Sequence, residues 1–217
     1  MFLALMITIV ALGDSTTAGT PAYRSPLEAP PGGSGNIESQ YAYWLMQAHP
    51  DWQVLNRGVN GERTDQIRGR FARDAAQPRP AVVVIIAGVN DVYQGRGAES
   101  VQRELEAMYA AARAAKIVVV AGTIIPFNVA SADQNARMRA VNDWIRAYAE
   151  THAASMVFCD TRAAVAAPGQ PDRLLSSPDG LHPSPDGYRR MALALDPAIT
   201  RAILLAKEKG PLNPPLQ

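Results

Sequence analysis

Near the end of the chain the stretch "SPDGLHPSPDGY", Ser177 to Tyr188, places Asp179 three residues before His182 in a segment stiffened by Pro178, Pro183 and Pro185. A loop of this kind exposes backbone and fixes side-chain directions, so a carboxylate and a titratable ring on it are candidates for chemistry rather than packing. Three other polar segments follow directly on apolar runs: Gly13-Asp14-Ser15-Thr16, Asn56 through Gly61, and Gly88-Val89-Asn90-Asp91. Together the four segments hold a hydroxyl, an imidazole, a carboxylate able to orient that imidazole, and groups able to donate hydrogen bonds to an oxyanion. Acyl transfer requires that inventory. Asp14 and Asp91 are expected to bind backbone donors and shape their own turns, with Asp65 and Asp160 as supporting groups at most.

For these residues to meet, the chain must bring distant segments to one edge of a scaffold. The runs "LMITIVAL", "WQVLN", "AVVVIIA", "KIVVVAGTII" and "SMVFCD" are continuous, β-branched and without polar alternation, which suits parallel strands buried on both faces. Between them lie helical periods: Ile37, Tyr41, Trp44, Leu45 and Ala48; Val101, Leu105, Met108, Tyr109 and Ala112; Met138, Val141, Ile145, Tyr148 and His152. Ser184 reads as an N-cap with Pro185 as first helical residue, and Asp196-Pro197 repeats that signal, predicting a break before a last helix. Alternating strands and helices imply an α/β fold, a three-layer αβα sandwich around a central five-stranded parallel sheet of flavodoxin-like type, because right-handed crossovers place helices on both faces. Ligands then bind beyond the carboxyl ends of the strands. The chain reads as a single domain over residues 1–206 with a Pro-rich tail at 207–217. The Pro- and Gly-rich segment from Pro26 to Asn36 reads as a long loop able to overhang the site.

Composition narrows the function classes. A net charge of +1 without any basic run removes the electrostatic footprint of a nucleic-acid binder. One cysteine, Cys159, forbids an internal disulfide and a cysteine-built zinc site; it reads as a small buried hydrophobe. The apolar start is read as a strand and not a signal peptide, since no lysine or arginine precedes Arg24, and no apolar run reaches the roughly 18 residues of a membrane span. A soluble, cytoplasmic protein is expected for the chain as it stands. His49 before Pro50 and His152 on an apolar stripe are expected to be structural.

The blocks "ALGDST", "NRGVNGERT", "GVND" and "DGLHP" stand in the order and spacing of the SGNH hydrolase superfamily, also called GDSL-type esterases, which the chain resembles from Leu12 to about Tyr188. Thr16 departs from the leucine of the family's name-giving motif. The resemblance implies Ser15 as nucleophile, His182 as base and Asp179 as the third triad member. It implies an oxyanion hole from the Ser15 and Gly61 backbone N–H groups and the Asn90 amide, with no metal or other cofactor. Each role is physically reasonable: a serine opening a helix meets unpaired N–H groups, a glycine lets its backbone approach a ligand, and a neutral amide can donate without losing a proton. Gly58 competes with Gly61 for the second donor.

The resemblance thus implies a serine esterase whose partner is a small-molecule ester, with short acyl groups expected for a small open domain. Carbohydrate acetylesterase, thioesterase, lysophospholipase and arylesterase activities are all implied as alternatives, and a non-catalytic ligand-binding domain of the same architecture is the alternative from another class. Tyr23, Arg24, Val92, Tyr93, Phe127 and Asn128 are candidate walls of the substrate pocket. Nothing in the residues fixes the oligomeric state.

Overall fold

The computed structural model describes residues 6–208 and 210. Its centre is a parallel sheet of five strands: β1 (Ile7–Gly13), β4 (Trp52–Gly58), β5 (Val82–Ile86), β6 (Val118–Gly122) and β7 (Met156–Cys159), in the spatial order β4-β1-β5-β6-β7. All five expected apolar runs are these strands. Residues 1–5 of the apolar start, and all but three residues of the expected tail, lie outside the described part of the chain.

The lack of polar alternation has a direct cause. Ile9 and Ala11 of β1, Val82 and Val84 of β5, and Val118 and Val120 of β6 point into one core, while Val10, Leu12, Val83, Ile85, Val119 and Ala121 point into the other. Each fully buried valine, leucine or isoleucine side chain among them contributes about 1.5–3 kcal/mol. The first core is closed by α2 (Tyr41–Ala48) and α8 (Pro185–Glu208), the second by α3 (Thr64–Gly69), α5 (Ala98–Ala114) and α6 (Ala132–Thr151). Sheet and flanking helices make a three-layer α/β architecture. The stripe Val101, Leu105, Met108, Tyr109 and Ala112 is buried along its whole length, as are Met138, Val141 and Ile145 on α6.

Chain order sets where the loops gather. From β1 the chain goes to β4 on one side of it and then returns to β5 on the other side. The loops leaving β1, β4 and β5 therefore part around one crevice at the carboxyl edge, the switch point where ligands enter open α/β sheets.

Several expectations are corrected. Ile37 lies in a 3₁₀ turn (Ile37–Ser39) ahead of α2 and is exposed rather than part of its apolar stripe, and Ala48 at the far end of α2 is also exposed. No break occurs at Asp196-Pro197: α8 runs through Pro197 to Glu208, taking in the first two residues assigned to the tail. Proline removes one backbone donor, but Pro197 is solvent-exposed and the carbonyl four residues earlier belongs to Leu193, itself 66% exposed, so water can serve it. At the start of α8 the expected cap is present: Ser184 Oγ accepts from Gly187 N and the Ser184 carbonyl from Tyr188 N. The Pro26–Asn36 segment is not a free loop. It is held in a small hairpin, β2 (Tyr23–Arg24) against β3 (Ser34–Gly35). Among the described residues no helix is long and apolar enough to cross a membrane.

Candidate active site

Ser15 opens α1 (Ser15–Ala18), a single turn that follows β1 without a linker beyond Asp14. Asp14 caps it, its carboxylate accepting from Thr16 N at 2.9 Å, and Gly19 in the left-handed conformation ends it. The turn is held from beneath by Tyr41 Oη at 3.0 Å from Thr17 Oγ1 and by Tyr188 Oη, which donates to the Thr20 carbonyl at 2.7 Å. Close packing needs Gly58 at the end of β4, where a Cβ would press into the backbone of Thr17 and Ala18.

The loop before α8 brings Asp179 and His182 to this turn. His182 Nε2 lies 2.9 Å from Ser15 Oγ, and His182 Nδ1 lies 2.7 Å from Asp179 Oδ2. The second carboxylate oxygen, Oδ1, accepts from the backbone N–H of Leu181 at 2.9 Å and of His182 at 2.8 Å. The loop is pinned at three further points. Ser177 Oγ donates to the His182 carbonyl at 2.6 Å and accepts from Gly180 N at 2.8 Å; Asn128 N donates to the Gly180 carbonyl at 2.7 Å. Partial burial raises the Asp179 pKa, but the hydrogen bonds from the His182 ring and from the two backbone N–H groups outweigh it and hold the group below its ordinary value. The carboxylate is thus ionised at neutral pH. Such a chain can pass the serine proton to the ring and stabilise the imidazolium.

On the other side of Ser15 stand the segments after β4 and β5. Gly61 adopts φ +78°, a conformation glycine reaches at little cost, and the space beside its Cα is open. Among the described residues the backbone N–H groups of Ser15 and Gly61 donate to no acceptor. The N–H of Gly58 is taken by Asn56 Oδ1 at 3.0 Å, so of the two glycines Gly61 is the one with a free donor. Asn90, in α4 (Val89–Tyr93), is oriented by donating one amide hydrogen to the Glu62 carbonyl at 2.9 Å, leaving the other available. Asp91 is fully buried and accepts from Thr64 N and Oγ1, both at 2.8 Å, and from Arg96 at 3.0 Å, so it ties α3 to α4 as a turn-shaping residue. Asp65 pairs with Arg63 and Arg96, and Asp160 caps α7 (Thr161–Val165).

A cavity of about 160 Å³ opens over these groups, lined by Ser15, Asn90 and His182 with Thr16, Asn60, Val89, Tyr93, Phe127 and Leu181. Tyr93, 56% exposed, meets the buried Phe127 edge-on with centroids 5.8 Å apart, forming an aromatic rim. Of the six candidate walls, Tyr93 and Phe127 line it. The other four do not. Tyr23 is buried with its hydroxyl on the Gly32 carbonyl, Arg24 bonds the Glu28 carbonyl, and Val92 faces the core. Asn128 accepts from Leu174 N at 2.8 Å and braces the Asp179 loop. No residue of the Pro26–Asn36 segment lines the cavity; Glu28 instead holds Asn60 N at 2.9 Å and so steadies its wall. Thr16, Asn60, Val89 and Leu181 were legible only as neighbours of the motif residues.

Cys159, His49 and His152 play no part in the site. Cys159 is pushed up to about 12 by burial, as befits a small hydrophobe. His49 stacks on Trp52 and bonds Asp196, and His152 caps α6 against the Tyr148 carbonyl. Among the described residues no cluster of His, Cys, Asp and Glu side chains is placed to hold a metal ion.

The sequence model of the GDSL-like lipase/acylhydrolase family matches residues 11–190, which is most of the chain. The chain belongs to this family. Solved structures of GDSL proteins share its fold. A member of the lipolytic protein G-D-S-L family from Veillonella parvula superposes with a TM-score of 0.75 at 20% identity, covering 90% of this chain and 99% of that one. A GDSL-like lipase from Bacteroides thetaiotaomicron gives 0.67 at 23% identity, covering 90% and 88%. A catalytic mutant of Axe2, an acetylxylan esterase from Geobacillus stearothermophilus, gives 0.68 at 21% identity, covering 94% and 96%. No match is found among curated protein sequences. For a GDSL-like hydrolase the four blocks that carried the resemblance are thus the four segments surrounding one cavity.

Proposed function

We propose that the protein is a serine esterase that cleaves small carboxylic esters with short acyl groups, acetyl to butyryl, through an acyl-enzyme. The observation that carries this reading is the unbroken path from Ser15 Oγ through the His182 ring to Asp179, with links of 2.9 and 2.7 Å, beside a cavity that also holds the Asn90 amide.

Ser15 Oγ attacks the ester carbonyl while His182 Nε2 takes its proton. The tetrahedral oxyanion is met by the Ser15 and Gly61 N–H groups and the Asn90 amide. His182 returns the proton to the departing alcohol, and water then repeats both steps on the acyl-enzyme. Asp179 holds the ring tautomer and stabilises the imidazolium. A cavity of about 160 Å³ with Val89, Phe127 and Leu181 as apolar wall is small beside the ~300–1,000 Å³ typical of drug-sized ligands, which favours short acyl chains. The similarity to an acetylxylan esterase fold makes sugar acetates natural members of a substrate panel, beside thioesters and lysophospholipids, which differ in leaving group.

The test is the rate of hydrolysis of p-nitrophenyl acetate, butyrate and octanoate by the protein and its Ser15→Ala variant. Acetate or butyrate is expected to be fastest, and Ser15→Ala to fall to a trace. Equal rates in the two proteins would sink the mechanism, and a preference for octanoate would sink the acyl-length assignment.

A further inference from the structure

Arg70 has no place in the proton path, yet it is built into the floor of the site. Its side chain is only 8% exposed. One guanidinium serves four acceptors: Nη2 donates to the Gly13 carbonyl at 2.9 Å, Nη1 to the Arg57 carbonyl at 2.9 Å and to Asp74 Oδ2 at 3.1 Å, and Nε to Glu62 Oε2 at 2.6 Å. Gly13 ends β1 two residues before Ser15. Arg57 and Glu62 bracket the turn that contains Gly61. The Glu62 carbonyl in turn receives the Asn90 amide. Thus one planar, rigid donor fork touches the segments of Ser15 and Gly61 directly, and that of Asn90 through one more bond.

Local structure is arranged to keep Arg70 there. The chain leaves α3 at Arg70 and enters a π-helical turn, Ala72–Ala76, an irregularity common near functional sites. That turn carries the buried Asp74 back against Arg70, while Arg73 holds Asp74 from the solvent side at 2.6 Å. With Glu62 and Asp74 both bonded to it, the Arg70 charge is locally matched, so its effect lies in hydrogen-bond geometry more than in net field. A buried ion pair is weak support for stability, because desolvation offsets the attraction.

We propose that Arg70 is a positioning residue that sets the spacing of the three oxyanion donors. This rests on the esterase reading above. Misplacing such groups by about 1 Å costs on the order of 100-fold in rate. Lysine, with one compact ammonium, cannot span the four acceptors.

The experiment compares the full chain with Arg70→Gln, Arg70→Lys and the more conservative Glu62→Ala, which removes one acceptor at a partly exposed position. Rates are normalised to the fraction of protein titratable by a fluorophosphonate. Expected are a fall in kcat of about 100-fold for Gln, about 10-fold or more for Lys and about 10-fold for Glu62→Ala, with KM little changed. Affinity for a trifluoromethyl ketone, which mimics the tetrahedral state, should fall by the same factor as kcat/KM. A purely structural role would instead lower the titratable fraction and leave kcat per titrated site within about twofold, which overturns the proposal. Deuterium exchange at residues 59–62 gives a readout that does not need turnover: faster exchange in Arg70→Gln or Glu62→Ala is expected, and unchanged exchange in both overturns the proposal. Failure of the esterase reading shows separately, as activity retained by Ser15→Ala.

Discussion

At the scale of single residues, the proposed reaction assigns proton transfer and charge stabilisation to different groups. Asp179 receives one ring N–H and two backbone N–H groups, so replacing it with Asn keeps the fold of the loop while offering the ring a donor in place of an acceptor. Asp179→Asn should therefore cost kcat on the order of 10⁴-fold, as the wrong tautomer does in serine proteases, with KM little altered; steady-state kinetics on p-nitrophenyl acetate check this. Because its folded-state pKa is lowered, Asp179 contributes stability that is present above the ordinary carboxylate range and is lost as pH falls through its depressed value. Asn90 is a donor and nothing else in the proposed step. Asn90→Ala should lower kcat by about 10²–10³, leaving fluorophosphonate able to reach Ser15. The residues of these two predictions stood out in the sequence because a motif spacing carries them. Tyr23, Arg24, Val92 and Asn128 do not line the cavity, because where a side chain turns depends on partners that no motif spacing names: the Gly32 carbonyl for Tyr23, the Glu28 carbonyl for Arg24, the core for Val92 and the Leu174 N–H for Asn128.

The elements show where sequence periodicity suffices and where it fails. Two-sided burial writes itself into the inner strands β1, β5 and β6 as unbroken apolar runs, whereas the edge strand β4 buries alternate residues and leaves Gln53 exposed and the edge strand β7 is only partly buried; α5 shows a complete stripe. The hairpin of β2 and β3 left no such mark, since its order comes from Glu28 reaching Asn60 N and Ser25 Oγ reaching the Gly58 carbonyl. Likewise the passage of α8 through Pro197 depends on that face being wet, which no local rule reveals. Contact between α1 and β4 leads to a prediction at this scale. Gly58→Ala would push a methyl into the backbone of Thr17 and Ala18, so it should destabilise the protein by about 1–3 kcal/mol or more and displace Ser15. Urea unfolding together with the titratable fraction of Ser15 measures both effects; wild-type values for both would contradict the packing described.

For the molecule as a whole, the strand order β4-β1-β5 sets where the candidate site lies, because it parts three loops around one crevice while the loop before α8 supplies the fourth. Folding this way buries Asp14 directly beneath Ser15, and burial raises its pKa to about 7, against the pull of its Thr16 bonds. A raised carboxyl stabilises the fold fully below its unfolded pKa, near 4, and that contribution is lost as pH rises through about 7. Asp14→Asn retains an acceptor for Thr16 N without the charge. The thermal midpoint of the wild type should therefore fall, relative to that of Asp14→Asn, between pH 4 and 8; parallel profiles would show that Asp14 ionises without penalty. The convergence itself is tested most directly by treating the folded protein with a fluorophosphonate and locating the adduct by peptide mass. One adduct per chain is expected, on Ser15, formed much more slowly in His182→Ala. An unlabelled Ser15 in folded wild-type protein, or labelling indifferent to His182, would contradict that convergence.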